Sequence, residues 1–213
     1  MANVNKPFGF SPVKSLVGAG QFQTNTYAIA SDGSNTYAIG DAVMSAAGAD
    51  ANGVRYVTKW GGATTTSALP LGIIVGFQEP NAGASLEGTS LTLEKQWLGL
   101  SAGLKYAIVA DDPYLVFEVQ SDATGITAAN ASKNAAVTVT ADDTSALSQS
   151  NPLSSTVATG PAVTATLPLR ILGVVQSPDN AVGAYAKVLC KWNYHENGIQ
   201  PGASGSVVSY LAV

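Results

Sequence analysis

Charge is what this chain has least of. Lys, Arg, Asp and Glu together make up 11% of its 213 residues, against about 25% in ordinary soluble domains. The ten Lys and Arg residues are spread singly, as at Lys14, Lys59, Lys105 and Lys133. A nucleic-acid backbone requires clustered positive charge, so a nucleic-acid partner is not expected. The one cysteine, Cys190, excludes an intrachain disulfide framework, and with one histidine it leaves zinc poorly served. No apolar run approaches the roughly 20 residues that cross a bilayer as a helix, so no membrane partner is expected. The opening MANVNKPFGF lacks a signal-peptide core, and synthesis in the cytosol is expected.

Catalytic signatures are missing as well. His195 stands beside Glu196 with no local nucleophile, so a structural or surface role is expected for it. Asp111-Asp112 and Asp142-Asp143 are adjacent carboxylates, but no calcium loop surrounds them, and Asp112-Pro113 reads as a turn. The glycines do not form a phosphate loop. No cofactor and no metal are expected. A dispersed carboxylate pair drawn from Glu79, Glu87, Glu94 or Glu118 stays open as a way to an enzyme. A carbohydrate-binding module stays open through Trp60, Trp97 and Trp192.

What the chain has is strands. Tyr185–Tyr194, YAKVLCKWNY, alternates over its whole length. Val188, Cys190, Trp192 and Tyr194 share its core side, and Lys187 and Lys191 share the other. Cys190 is expected as a small core residue. In YLVFEVQ, Tyr114–Gln120, Phe117 and Val119 share one face, with Val116 and Glu118 on the other. LPLGIIVGFQEPN at Leu69–Asn81 is echoed without a gap by LPLRILGVVQSPD at Leu167–Asp179. The simplest reading is two strands in equivalent settings, each released by a proline turn. Asn52-Gly53 signals a hairpin, and Gly40-Asp41 marks a sharp bend into a strand. No amphipathic helix of useful length emerges. The pattern predicts an all-β fold, a compact barrel or sandwich with long loops and extended terminal arms.

The expected organisation has four parts. Residues 1–20 form an N-terminal arm, 21–120 with 164–196 the main β-domain, 121–163 an Ala/Ser/Thr-rich excursion, and 197–213 a C-terminal arm. Val137–Thr140 is expected as a strand of the excursion. Phe8, Phe10, Val13 and Leu16 in the first arm, and Val207, Tyr210 and Leu211 in the last, are too apolar for idle tails. They are the candidate contacts with a neighbouring chain; for the first arm the alternative is an ordinary N-terminal strand that covers an edge of its own core.

The opening NKPFGFSPV (Asn5–Val13), the strand YLVFEVQ after its Asp-Asp-Pro turn, and the block Leu169–Glu196 together resemble the head decoration, or cement, proteins of tailed bacteriophages. The resemblance covers the two ends and the middle strand. It implies a non-enzymatic protein on the outer capsid surface of a virion, made in the host cytoplasm. It also implies that the protein bridges major capsid proteins, with a homotrimer as one familiar arrangement. A tail or head–tail component is the alternative within the same particle.

Overall fold

A computed structural model describes residues 3–29, 36–62, 68–80, 89–92, 96–98, 105–139, 157–200 and 208–209. In chain order its strands are β1 (Ser11–Ser15), β2 (Asn25–Ile29), β3 (Thr36–Ala38), β4 (Ala42–Ala49), β5 (Arg55–Lys59), β6 (Gly72–Pro80), β7 (Thr89–Thr92) and β8 (Gln96–Leu98). They continue with β9 (Lys105–Ala110), β10 (Leu115–Gln120), β11 (Asn134–Thr138), β12 (Val157–Ala162), β13 (Leu169–Val174), β14 (Lys187–Trp192), β15 (Ile199–Gln200) and β16 (Val208–Ser209). Two six-stranded sheets carry the fold, ordered β4-β5-β2-β9-β6-β7 and β1-β10-β14-β13-β11-β12, and β3-β8 and β15-β16 are short ribbons. The all-β architecture with two sheets and long loops is the one the strand pattern predicts.

The two sheets repeat one another. Take β2, β4, β5, β6 and β9 as one unit and β10, β11, β12, β13 and β14 as a second. In each unit the first strand meets the third in parallel. The fifth strand lies antiparallel to the first. The second strand pairs with both the third and the fourth. The fourth pairs with the fifth. The pairings therefore return on themselves in each unit, through β4–β6 in the first and through the Ser121–Ala158 bridge in the second.

Registers coincide too. Val43↔Gly72 becomes Ala135↔Leu169. Ile74↔Val109 becomes Ile171↔Cys190, and the bulge that follows, Ile74/Gly76, recurs at Ile171/Gly173. Tyr27↔Ala107 becomes Val119↔Val188. The amide of Gly40 donates to Ile74 O at 2.9 Å, and that of Ser132 donates to Ile171 O at 3.0 Å. Both donors have positive φ, 95° at Gly40 and 67° at Ser132. The echoed segments thus occupy equivalent settings, as fourth strands. Their structural equivalence is one residue out of step with the sequence match: Ile74 corresponds to Ile171, not to Leu172. A one-residue slip exchanges the two faces of a strand, so the bulge, rather than the Leu-Pro-Leu letters, defines the match.

The described parts of the Ala/Ser/Thr-rich stretch join the second sheet, where β11 and β12 complete the second unit. The expected strand at Val137–Thr140 is displaced to Asn134–Thr138. Alanine walls suffice there because Ala135 and Ala158 pack beneath larger partners. Of the two settings open to the N-terminal arm, its own domain or a neighbour, β1 takes the first, pairing antiparallel with β10 through Ser11↔Glu118 and Ser15↔Leu115.

Each unit has its own interior. Tyr27, Ile29, Val57, Ile74, Phe77 and Val109 fill the first. Phe117, Val119, Ile171, Val188, Cys190 and Trp192 fill the second. The outer face of the first unit, at Ala42, Ile73 and Ala110, joins the second cluster and so buries the junction between units. Gly40 shapes that junction. Its amide bends back to Ile74, its carbonyl accepts the Phe10 amide at 2.8 Å, and a Cβ there would stand 2.5 Å from Phe8 O. Gly40→Ala is therefore expected to cost about 1–3 kcal/mol through positive φ and the clash. An unchanged urea midpoint would contradict this account of the bend.

Candidate functional site at the junction of the two units

Three pieces of chain meet at the junction: the N-terminal arm, the turn from β9 to β10, and the segment after β14. The arm is fastened along its length. Asn3 donates through Nδ2 to Ala181 O and Ala184 O, and its Oδ1 accepts the Ala181 amide. Gln120 accepts from the Lys6 amide and donates to Val4 O. Phe10 then enters the core, its ring centroid 5.0 Å from Phe117 and 5.2 Å from Trp192. Trp60 of the first unit meets the same Trp192 edge-on at 5.7 Å, and its indole Nε1 donates to Ala68 O.

Phe10 was expected to face a neighbouring chain, and it is only 1% exposed. That expectation is corrected. Pairing of β1 with β10 turns Phe10 inward over Phe117, where edge-to-face packing adds to burial. Phe8 is half-buried and helps line a cavity of about 340 Å³ with Phe22, Ile39 and Val75. Val13 and Leu16 are exposed, at 47% and 53%. Val207, Tyr210 and Leu211 lie outside the described residues. Among the expected core residues, Phe117, Val188, Cys190 and Trp192 are buried. Tyr194 is half-buried, with its hydroxyl donating to Ala165 O. Burial pushes the Cys190 thiol up, so it holds its proton. It is an inert part of the wall.

The polar counterpart of the aromatic cluster lies in the first unit. The positions equivalent to Phe117 and Trp192 are Asn25 and Asp111. There Asp111 Oδ2 accepts from Asn25 Nδ2 at 2.8 Å and from the Tyr27 hydroxyl at 2.7 Å. One unit therefore closes this end with ring contacts and the other with hydrogen bonds. Asp112 caps the following turn, its Oδ1 accepting the Tyr114 amide at 2.8 Å, which is the turn read from Asp112-Pro113. His195 is 2% exposed, and its Nδ1 accepts the Asn197 amide at 3.1 Å. Glu196 accepts from Ser45 and forms an ion pair with Arg55 at 2.8 Å. These contacts tie the end of the second unit to β4 and β5 of the first.

Chemically this cluster is quiet. Burial, reinforced by the bond to Asp111, pushes the Tyr27 phenol up, so it remains a donor. Burial pulls His195 from 6.5 down to about 4, against the opposing influence of Asp111, Glu196 and Asp112. A neutral imidazole with an accepting Nδ1 is a structural tie. Among the described residues no three His, Cys, Asp or Glu side chains stand close enough to hold a metal ion. No described helix is long and apolar enough to cross a membrane. Trp60 and Trp192, two candidates for a glycan platform, are buried, and the side chain of Trp97 lies outside the described residues. The chain matches no family model, no curated protein and no solved structure.

Two predictions arise here. Phe10→Ala should cost about 3–5 kcal/mol by opening a cavity against Phe117 and Trp192. Leu16→Ser should stay within about 0.5 kcal/mol. Equal effects in chemical denaturation would place the arm's weight elsewhere. The second concerns His195. Unfolded, it binds a proton below 6.5; folded, only below about 4. Between those values the unfolded chain holds more protons. Its contribution is thus complete above 6.5 and is lost as pH falls toward 4, by about 3 kcal/mol in all. His195→Gln should flatten that part of the pH–stability curve; an unchanged slope would show that His195 does not carry it.

Proposed function

We propose that this chain is a non-enzymatic virion protein that binds the outer surface of a phage capsid and stabilises contacts between major capsid proteins. The observation that carries this reading is a line of exposed apolar side chains on a protein whose chemistry is buried. Val13, Leu16, Val17 and Tyr114 are 47%, 53%, 56% and 52% exposed. They are continuous in the fold, because β1 runs beside β10 and the Leu16 amide donates to Tyr114 O. Contiguous exposed apolar surface marks a face that meets another macromolecule. The scarcity of charge lowers the desolvation cost of that meeting. The resemblance of Asn5–Val13, Tyr114–Gln120 and Leu169–Glu196 to head decoration proteins supplies the partner.

In this reading each unit is a small barrel, closed by the pairings that return on themselves, and the pair forms a rigid block outside the shell. A homo-oligomer, with a trimer favoured, multiplies many modest contacts by avidity. The same surface would serve a tail or head–tail component, and position in the particle separates the two. Cryo-electron microscopy of purified particles is expected to show regular density outside the capsid. Confinement to the tail, or absence from particles, would overturn the proposal. Val13→Ser with Leu16→Ser should lower occupancy while leaving the melting temperature of the free protein nearly unchanged.

A further inference from the structure

The repeat shows which surface of the second unit lacks what the first one has. In the first unit the cross-strand row Ala42, Ile73, Ala110 is buried, at 3%, 0% and 0% exposed. It packs against the second unit's core. Val75 and Phe22 beside it are half-buried and line a cavity together with Phe8 and Phe10 of the arm. The equivalent row in the second unit is Asn134, Arg170 and Lys191, joined by the pairs Asn134↔Arg170 and Arg170↔Lys191. The equivalents of Phe22 and Val75 are Tyr114 and Leu172, 52% and 41% exposed. A face that is fully packed in one unit is thus partly exposed in the other, and it has changed chemistry: Asn134 is 8% exposed, Arg170 and Lys191 are half-buried, and Tyr114 and Leu172 beside them are exposed.

That change is toward positive charge. The row continues from Lys191 through Val116 to Lys14 on β1. Residues directly opposite across a ladder project to the same side of the sheet. Three of the chain's ten cations therefore fall on one face, although they are remote in sequence and show no basic run. Arg170 and Lys191 are immediate neighbours, an arrangement that disfavours the isolated sheet. Among the described residues, none of the three has an ion-pair partner. Glu118, two residues from Val116 on the same face of β10, offsets one of these charges, and the remaining balance is still an inversion of sign in a chain of net charge −4.

We propose that the outer face of the second unit binds an acidic protein segment that also carries an apolar side chain. Its carboxylates would lie along Lys14, Lys191 and Arg170, and its apolar group would rest on Leu172 and Tyr114. Charge complementarity selects an acidic partner, and the exposed apolar pair selects polypeptide over a bare polyanion. The inference deepens the assembly reading by naming the chemistry of the partner. Its test uses the free full-length chain, so its failure leaves the position in the particle to be decided separately.

The probe is a short fluorescent peptide of glutamates around a central phenylalanine, followed by anisotropy at low salt. Saturable binding that weakens with added salt is expected. Arg170→Glu should weaken it about tenfold or more, and Leu172→Asp should also weaken it. Arg170→Glu sets an acid opposite Lys191, so its thermal midpoint should hold or rise, which separates lost binding from lost folding. Failure of the peptide to bind, or equal binding by Arg170→Glu, would overturn the proposal. So would tighter Arg170-dependent binding of a single-stranded oligothymidine. A change of oligomeric state in Arg170→Glu, seen by light scattering, would assign the face to a second copy and likewise overturn it.

Discussion

The contact between Phe10, Phe117, Trp192 and Trp60 is the one on which the rest of this structure depends. Phe10 comes from the arm, Trp60 from the end of the first unit, and Phe117 and Trp192 from the second. Each ring is nearly or fully buried. Aromatic side chains of this size dominate the energetics of a core, and here they belong to three parts of the chain at once. The arm is therefore part of the folded body up to Phe10. Beyond Phe10 it becomes an edge strand, and what it offers the outside is Val13, Leu16 and Val17.

The two units share a plan but have diverged where they meet. The interior end that holds Phe117 and Trp192 in the second unit holds Asn25 and Asp111 in the first. Hydrogen bonds from Asn25 and Tyr27 satisfy one oxygen, Oδ2, of the Asp111 carboxylate there, which offsets part of the cost of burying it. His195 and Glu196, which follow the last strand of the second unit, return to this polar end. One junction face is closed with rings and the other with polar ties. The outer faces diverged in the same sense. Ala42, Ile73 and Ala110 suit burial, whereas the half-buried Arg170 and Lys191 suit water or an acidic partner. A tandem array ends in this way, with a terminal unit whose outward face is polar.

Much of this was legible in the sequence, and the illegible part has identifiable causes. Strong alternation announced β14 and β10, and the Asp112-Pro113 turn followed from its letters. The Leu-Pro-Leu echo pointed to a true equivalence of β6 and β13. It did not disclose the whole repeat, because the other strands changed chemistry: Asn25 answers to Phe117, Asp111 to Trp192, and Gly40 to Ser132. The Ala/Ser/Thr-rich stretch hid two strands, since alanine carries neither a strong strand preference nor a visible apolar face. Phe10 was misplaced because sequence shows that a ring needs burial but not where. The cationic row could not be read at all. Lys14, Arg170 and Lys191 become neighbours only through three antiparallel pairings.

The central claim is that this protein works by surface contact, through the open face of its second unit, while its buried chemistry serves the fold. Lysine footprinting of the free chain and of the chain on particles tests that claim most directly. The account predicts that Lys14 and Lys191 lose reactivity on assembly. Unchanged reactivity of both lysines on fully occupied particles would contradict it.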